Sequence, residues 1–201
     1  MSECELFIVS APSGAGKTSM LSQARLQLTN LSVAVSHTTR IARAGEIDGQ
    51  HYHFISTHQF DQMKAAGEFV EHAEVFGNYY GTSRQSIDSL LQAGFQVVLE
   101  IDWQGARQIR TIYPDAKSIF ILPPSIEILE QRLIERDQDS KAVIAARMNQ
   151  AIDEIKHYVD YDYLIINDDL DRALLELINI FESPDKYTMP DLDKLSRILA
   201  E

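Results

Sequence analysis

Eight consecutive residues, Ala11-Pro12-Ser13-Gly14-Ala15-Gly16-Lys17-Thr18, decide most of what this chain can become. They follow the short, apolar, β-rich stretch Leu6–Ser10 and lead directly into Ser19–Thr29, which is helical in composition. Strand, glycine-bearing loop and helix in that order place a helix N-terminus at the loop. Gly14 and Gly16 let the backbone turn so that several N–H groups point inward. With the start of the helix, those donors form a nest for an anion. The run fits a loop for a nucleoside triphosphate, in which Lys17 reaches the β- and γ-phosphates and the Thr18 hydroxyl ligates Mg²⁺. The pattern usually opens with Gly where this chain has Ala11, a departure that is tolerable while the backbone there stays in a region Ala can occupy.

The rest of the chain repeats the alternation. Val33 and Val35 mark a short strand, and residues 37–56 read as loops or short strands. Ser56 and Gln59 form a capping box that opens a helix ending near Gly67. Phe69, Ala73, Val75 and Phe76 suggest a strand, with Gly77 and Gly81 flanking a turn. Ser83–Ala93 is helical and Gly94 stops it. Phe95–Ile101 and Ser118–Leu122 are buried strands, Ser125–Arg136 and Ser140–Tyr158 helices, Tyr163–Ile166 a last strand and Leu170–Phe181 a last helix. Short apolar strands alternating with helices imply an α/β fold, a mainly parallel sheet flanked by helices. Residues 183–201 are expected to form a tail that is loosely attached or docks on a neighbouring subunit.

Composition narrows the function classes. With 201 residues, 45% of them hydrophobic, the chain has room for one domain with a substantial core. A net charge of −12 argues against a general nucleic-acid binder, which would carry a basic face. No apolar run approaches the roughly 20 residues that span a membrane, and no secretory leader is evident. The single cysteine, Cys4, cannot form an internal disulfide. A cytoplasmic protein is the expectation.

Within this acidic chain a few cations and phenols converge. Arg40 and Arg43 lie three residues apart in a glycine-bearing loop after Ser36-His37-Thr38-Thr39, and Tyr52 and Asn78-Tyr79-Tyr80-Gly81-Thr82 follow. Planar guanidinium forks match phosphate oxygens, so the cluster suggests a second phosphate-bearing ligand. Glu100 and Asp102 end a buried strand, where carboxylates can help hold Mg²⁺ or its waters. His51 and His53 have a spacing that could suit a metal, but no matching ligand cluster accompanies them. Trp103 and Tyr113 read as packing residues.

Taken together, "SHTTR", "GEFVEHAEVFGNYYGT", "LEIDWQGARQIR", "SIFILPPS" and "DYDYLIINDDL" resemble guanylate kinase, the nucleoside monophosphate kinase family that phosphorylates GMP with ATP. The likeness runs from about Leu6 to Phe181. It implies a phosphate-loop NTPase-type core over residues 1–35, 91–124 and 151–182, an inserted GMP-binding lobe over 36–90 and a helical lid over 125–150. By that likeness ATP would bind at Ser13, Gly14, Ala15, Gly16, Lys17 and Thr18, with Asn167 near its base. Arg40, Arg43, Tyr52 and Tyr80 would hold the GMP phosphate, Glu46 would support the arginines, and Ser36, Glu71 and Thr82 would read guanine. Glu100 and Asp102 would lie near GMP and Mg²⁺, either one acting on the metal through water. Lys17 and the lid residues Arg132, Arg136 and Arg147 would neutralise charge during transfer. ATP and GMP are the implied partners, Mg²⁺ the implied cofactor, and a homo-oligomer is compatible with the likeness. The chain departs from the family's lid pattern R-L-x-G-R-G, because Glu135 and Asp137 stand where glycines are usual. A sugar kinase on the same fold would lack the Ser36–Glu71–Thr82 set, and a non-enzymatic relative would have a degraded phosphate loop.

Overall fold

The computed structural model describes residues 5–75, 77–135 and 141–190, without side-chain detail for 141–143. In chain order the elements begin β1 (Leu6–Ser10), α1 (Lys17–Gln27), β2 (Leu31–Val33), β3 (His37–Thr38), β4 (His53–Phe54) and α2 (Thr57–Ala65). They continue with β5 (Phe69–Val75), β6 (Asn78–Ser83), α3 (Arg84–Gln92), β7 (Gln96–Glu100), α4 (Trp103–Ile112) and β8 (Lys117–Leu122). Last come α5 (Ile126–Glu135), α6 (Lys141–Ile155), β9 (Tyr163–Ile166) and α7 (Leu170–Glu182), with 3₁₀ turns at Lys156–Asp160 and Pro184–Lys186. Among the described residues no helix is long and apolar enough to cross a membrane.

The larger sheet has the strand order β2-β7-β1-β8-β9. β1 is buried at every position and β8 at all but its first. Such unbroken apolar runs belong to strands covered on both faces, rather than to half-exposed ones. The chain divides into two compact units. One takes in residues up to Ile8 and Asn30–Ala116, the other Val9–Thr29 and the chain from Lys117 on.

In the first unit β2 and β7 pair in parallel, from Leu31 opposite Gln96 to Val33 opposite Val98. A smaller sheet has the order β4-β3-β6-β5, antiparallel except for the β3–β4 pair. Helix α2 opens with the expected capping box: the Gln59 N–H donates to Ser56 Oγ and Gln59 Oε1 accepts from the Ser56 N–H. Its buried Phe60 stacks on Phe69 and Tyr79, at centroid distances of 4.6 and 5.4 Å.

The second unit holds β8 paired in parallel with β9, from Ile119 opposite Tyr163 to Leu122 opposite Ile166. Asp162 Oδ2 fastens the start of that pair by accepting from the Ser118 N–H and hydroxyl, at 2.9 and 2.7 Å. Leu177, Ile180 and Phe181 of α7 are buried, each apolar side chain of this size contributing about 1.5–3 kcal/mol.

Four expectations need correcting. Gly81 does not flank a turn: it lies inside β6, where a Cβ would come within 3.0 Å of the Phe69 ring, so the position must stay bare. Gly77, with φ 71°, lies between β5 and β6, and Phe76 beside it is outside the described residues. The second strand is Leu31–Val33 and leaves Val35 outside it. Helix α4 was not expected at all. Asp102 is its N-cap, accepting from the Gly105 N–H at 2.9 Å, and Ala106 and Ile109 form its buried face. Finally, the described part of the expected tail, residues 184–190, is tied down: the Tyr187 hydroxyl accepts from the Leu164 N–H at 2.8 Å and donates to the Leu164 carbonyl at 2.9 Å, while residues 191–201 lie outside the described residues.

Candidate active site

In the second unit the Ala15 N–H donates to the Pro12 carbonyl at 3.1 Å and closes the turn of the Ala11–Thr18 loop. Gly14 and Gly16 have φ of 95° and 94°, a region that costs side-chain-bearing residues dearly. α1 then starts at Lys17 with no side-chain cap and no acidic residue in its first turn. The positive end of its dipole therefore meets no acidic side chain of that turn, which favours an anion there. Lys17 is half-buried and Thr18 exposed.

The loop is shaped from outside by α5 and β9. A Cβ on Gly14 would press within 3.1 Å of Leu129 and Leu133. A Cβ on Gly16 would fall 2.5 Å from Asn167 Nδ2. That amide donates to the Ala15 carbonyl at 2.7 Å, and the residue is 3% exposed. Asn167 is thus a latch on the loop's backbone through its amide nitrogen. Arg132 Nη2 donates to the Asn167 carbonyl at 3.0 Å, while Arg132 Nη1 and Asn167 Oδ1 are buried without a partner among the described residues. Arg147 lies half-buried on α6 and Glu135 exposed at the end of α5. Arg136 and Asp137 lie outside the described residues.

A second cluster belongs to the first unit. Arg40 is gripped by Glu46 through two bonds, Nη1 to Oε2 at 3.0 Å and Nη2 to Oε1 at 2.8 Å. The hydrogen bond from Arg40 holds the Glu46 carboxyl below the usual carboxylate range, and the Arg43 N–H adds to it at 2.6 Å. Glu46 therefore orders the Arg40 guanidinium but meets Arg43 through its backbone; the Arg43 side chain is exposed. The rings of Tyr52 and Phe54 lie 5.5 and 5.8 Å from the Arg40 guanidinium carbon, and Tyr52 meets Tyr80 edge-on at 5.8 Å. Burial, with Glu100 adding its charge, pushes the Tyr52 phenol well up, so it is a hydroxyl donor throughout the physiological range.

Deeper in the same unit Ser36, Thr82 and Glu71 form a chain. The Thr82 hydroxyl donates to Glu71 Oε1 at 2.6 Å and accepts from Ser36 at 2.9 Å. All three are buried, Glu71 at 3% exposure. A β-bulge makes the pairing possible. Phe69 opposes Ser83, but the register then slips so that Glu71 opposes Thr82 rather than Gly81. Desolvation, with Asp102 contributing, pushes the Glu71 carboxyl up to about 7. Asp102 itself is occupied as the α4 cap, its Oδ2 accepting from Gln104 at 3.1 Å.

The family model for guanylate kinase matches residues 3–184. The chain belongs to the guanylate kinase family. It is 54% identical to a guanylate kinase of Vibrio cholerae serotype O1 over 207 residues, covering 100% of both chains. It is 55% identical to one of Escherichia coli O157:H7 over 186 residues, covering 91% of this chain and 89% of that one. The crystal structure of guanylate kinase from Anaplasma phagocytophilum matches with a TM-score of 0.76 at 34% identity, covering 100% and 98% of the chains. As in other guanylate kinases, the fold is of the phosphate-loop NTPase kind.

Three site features escape sequence reasoning. Phe54 lies beneath Arg40, and nothing in its neighbourhood marks it. Gly105 and Gln108 sit on the helix that was not anticipated. As to a metal, the described residues contain no group of three His, Cys, Asp or Glu able to hold one. His51 Nδ1 accepts from the Ile47 N–H at 3.0 Å. A lone hydroxyl such as that of Thr18 fits an ion like Mg²⁺, which keeps its waters and shares a nucleotide's phosphates instead of entering an all-protein cage.

Proposed function

We propose that this guanylate kinase transfers the γ-phosphoryl group of ATP directly and in line to GMP, accepts dGMP as well, and works in the cytoplasm. The buried Ser36–Thr82–Glu71 chain supports this reading most. Guanine N1–H and N2–H₂ are donors, and an ionised carboxylate accepts from both. Adenine has an unprotonated N1 and would face Glu71 acceptor to acceptor. Leaving a buried carboxylate unpaired is costly, so discrimination can be large.

The remaining residues take roles that suit transfer without a covalent intermediate. Arg40, ordered by Glu46, holds the acceptor phosphate with the Tyr52 and Tyr80 hydroxyls, and the exposed Arg43 supplies a further cation. Lys17 and the loop amides hold the donor phosphates; Arg132, Arg136 and Arg147 offset the charge that spreads over the equatorial oxygens. Thr18 would hold Mg²⁺ arriving with ATP, which would supply further charge neutralisation. Positioning does most of the work, and no strong general base is needed.

The test is a coupled ADP-release assay with ATP and, in turn, GMP, dGMP, AMP, UMP and CMP. Turnover with GMP and dGMP at least about a hundredfold above AMP is the expected outcome. Comparable rates with AMP would overturn the assignment of Glu71 as guanine reader.

A further inference from the structure

Glu71 carries the discrimination, yet its position is set by a helix that contacts no nucleotide group in the reading above. Thr82 holds only Oε1. The Oε2 side of the carboxylate lies against α4 at Gly105: a Cβ there would fall 2.5 Å from Glu71 Oε2, 3.2 Å from Glu71 Cδ and 3.3 Å from Ile101 Cβ. Gly105 is buried, and its backbone is fixed on the N-terminal side by the bond to Asp102 at 2.9 Å. One turn further along the helix, Gln108 clamps the neighbour of Glu71 in β5. Its Oε1 accepts from the His72 N–H at 3.1 Å, and its Nε2 donates to the His72 carbonyl at 2.8 Å. The helix cannot retreat from the strand without breaking both bonds. Any side chain at 105 must therefore be accommodated by the movable party, the carboxylate.

We propose that α4 is the backstop of the base-reading carboxylate: Gly105, by lacking a side chain, and Gln108, by clamping His72, are positioning residues that set where Glu71 Oε2 lies and so determine selectivity for a purine presenting donors at N1 and N2. The inference rests on the assignment of Glu71 as guanine reader. Gly105 lies in the first turn of α4, and what keeps it bare is the contact with Glu71 rather than any gain to the helix.

The wild-type acceptor panel tests Glu71 as reader; steady-state kinetics of Gly105→Ala tests the backstop. A displacement of about 1 Å at a recognition group can cost up to about a hundredfold. Gly105→Ala should therefore raise the GMP KM about tenfold or more and narrow the GMP-over-AMP ratio, with the ATP KM within about twofold of wild type. The thermal midpoint should hold, because the end of a side chain yields more easily than backbone. In a Glu71→Asp background, whose carboxylate stops one methylene short of α4, the same change should add little. If Gly105→Ala leaves the GMP KM and the ratio unaltered, or raises both KM values together, or acts equally in both backgrounds, the backstop is wrong. Should Gly105→Ala not fold, Gln108→Met carries the test: a raised GMP KM with an unchanged ATP KM supports the inference, and no change in the GMP KM overturns it.

Discussion

The Ala11–Thr18 loop presents backbone; the pocket around Glu71 presents side chains. The first is a contiguous stretch whose donors are peptide N–H groups at glycine turns, set from outside by the Asn167 amide and the Leu129 and Leu133 side chains. The second is assembled from β3, β5, β6 and the segments beside them, with Ser36, Thr82 and Glu71, and likewise Arg40 and Glu46, joined side chain to side chain before any ligand arrives. Backbone donors read charge and shape, so they suit a triphosphate common to many enzymes. A buried carboxylate with a fixed hydroxyl partner reads a donor pattern, so it suits the one base that has that pattern. The generic task needs few side chains, and the discriminating one needs many.

Perturbations of the two regions should therefore differ in kind. The largest effect is expected from Lys17→Met, which removes the one cationic side chain of the loop that sequence reasoning assigns to the transferring group. Turnover should fall below about a tenth of wild type while circular dichroism and ATP binding persist. Retention of more activity than that, with normal ATP binding, would remove Lys17 from the chemistry. Next comes Arg40→Ala, which deletes the proposed charge-assisted phosphate contact and strands Glu46. The GMP KM should rise by the equivalent of about 1.5–3 kcal/mol. An equal rise in the ATP KM would show that the damage is not confined to the side-chain pocket.

A smaller effect comes from protons. The Glu71 carboxyl titrates near about 7 in place of its ordinary 4.5, because burial and Asp102 disfavour its charge. Reading guanine needs the ionised form, so the GMP KM should climb as pH falls through 7 and level off above it. The ATP KM should not follow, and Glu71→Gln should flatten the dependence. The sign for stability is opposite. The folded state keeps this proton over a range where the unfolded chain has lost it, so this group's contribution falls as pH rises from 4.5 towards 7. Matching pH profiles for the two substrates would contradict the assignment. The smallest effect is expected in the proposed lid. Glu135→Gly/Asp137→Gly restores the family pattern and removes two carboxylates flanking Arg136, so the ATP KM should drop a few-fold at low salt and less at moderate salt. A double variant identical to wild type at both salts makes the two acids spectators.

The same contrast explains what could be read from the sequence. The loop, the strands Leu6–Ser10 and Tyr163–Ile166, and the α2 capping box are written in adjacent residues, so local pattern suffices. Ser36, Glu71 and Thr82 were legible through family resemblance, because their grouping depends on a strand pairing that no local rule specifies. The Val70 bulge that puts Glu71 opposite Thr82 has no signature of its own. Helix α4 was missed for a related reason. Gly105 weakens its helical signal, and the Asp102 N-cap falls at a strand end, where its capping bond is not visible in local pattern. Gly81 misled in the same way, since a glycine kept bare for the Phe69 ring resembles one kept for a turn.

Strand β9 ends the larger sheet, and a strand in that position ordinarily offers its unpaired backbone to any chain that comes by. Here one phenol, Tyr187, takes both the N–H and the carbonyl of Leu164. A single oxygen thus occupies both backbone groups of that residue. A protein shortened to Ser183 would keep both ligand clusters yet lose that seal, so its characteristic failure would be polymerisation through an open sheet margin while catalysis was still intact.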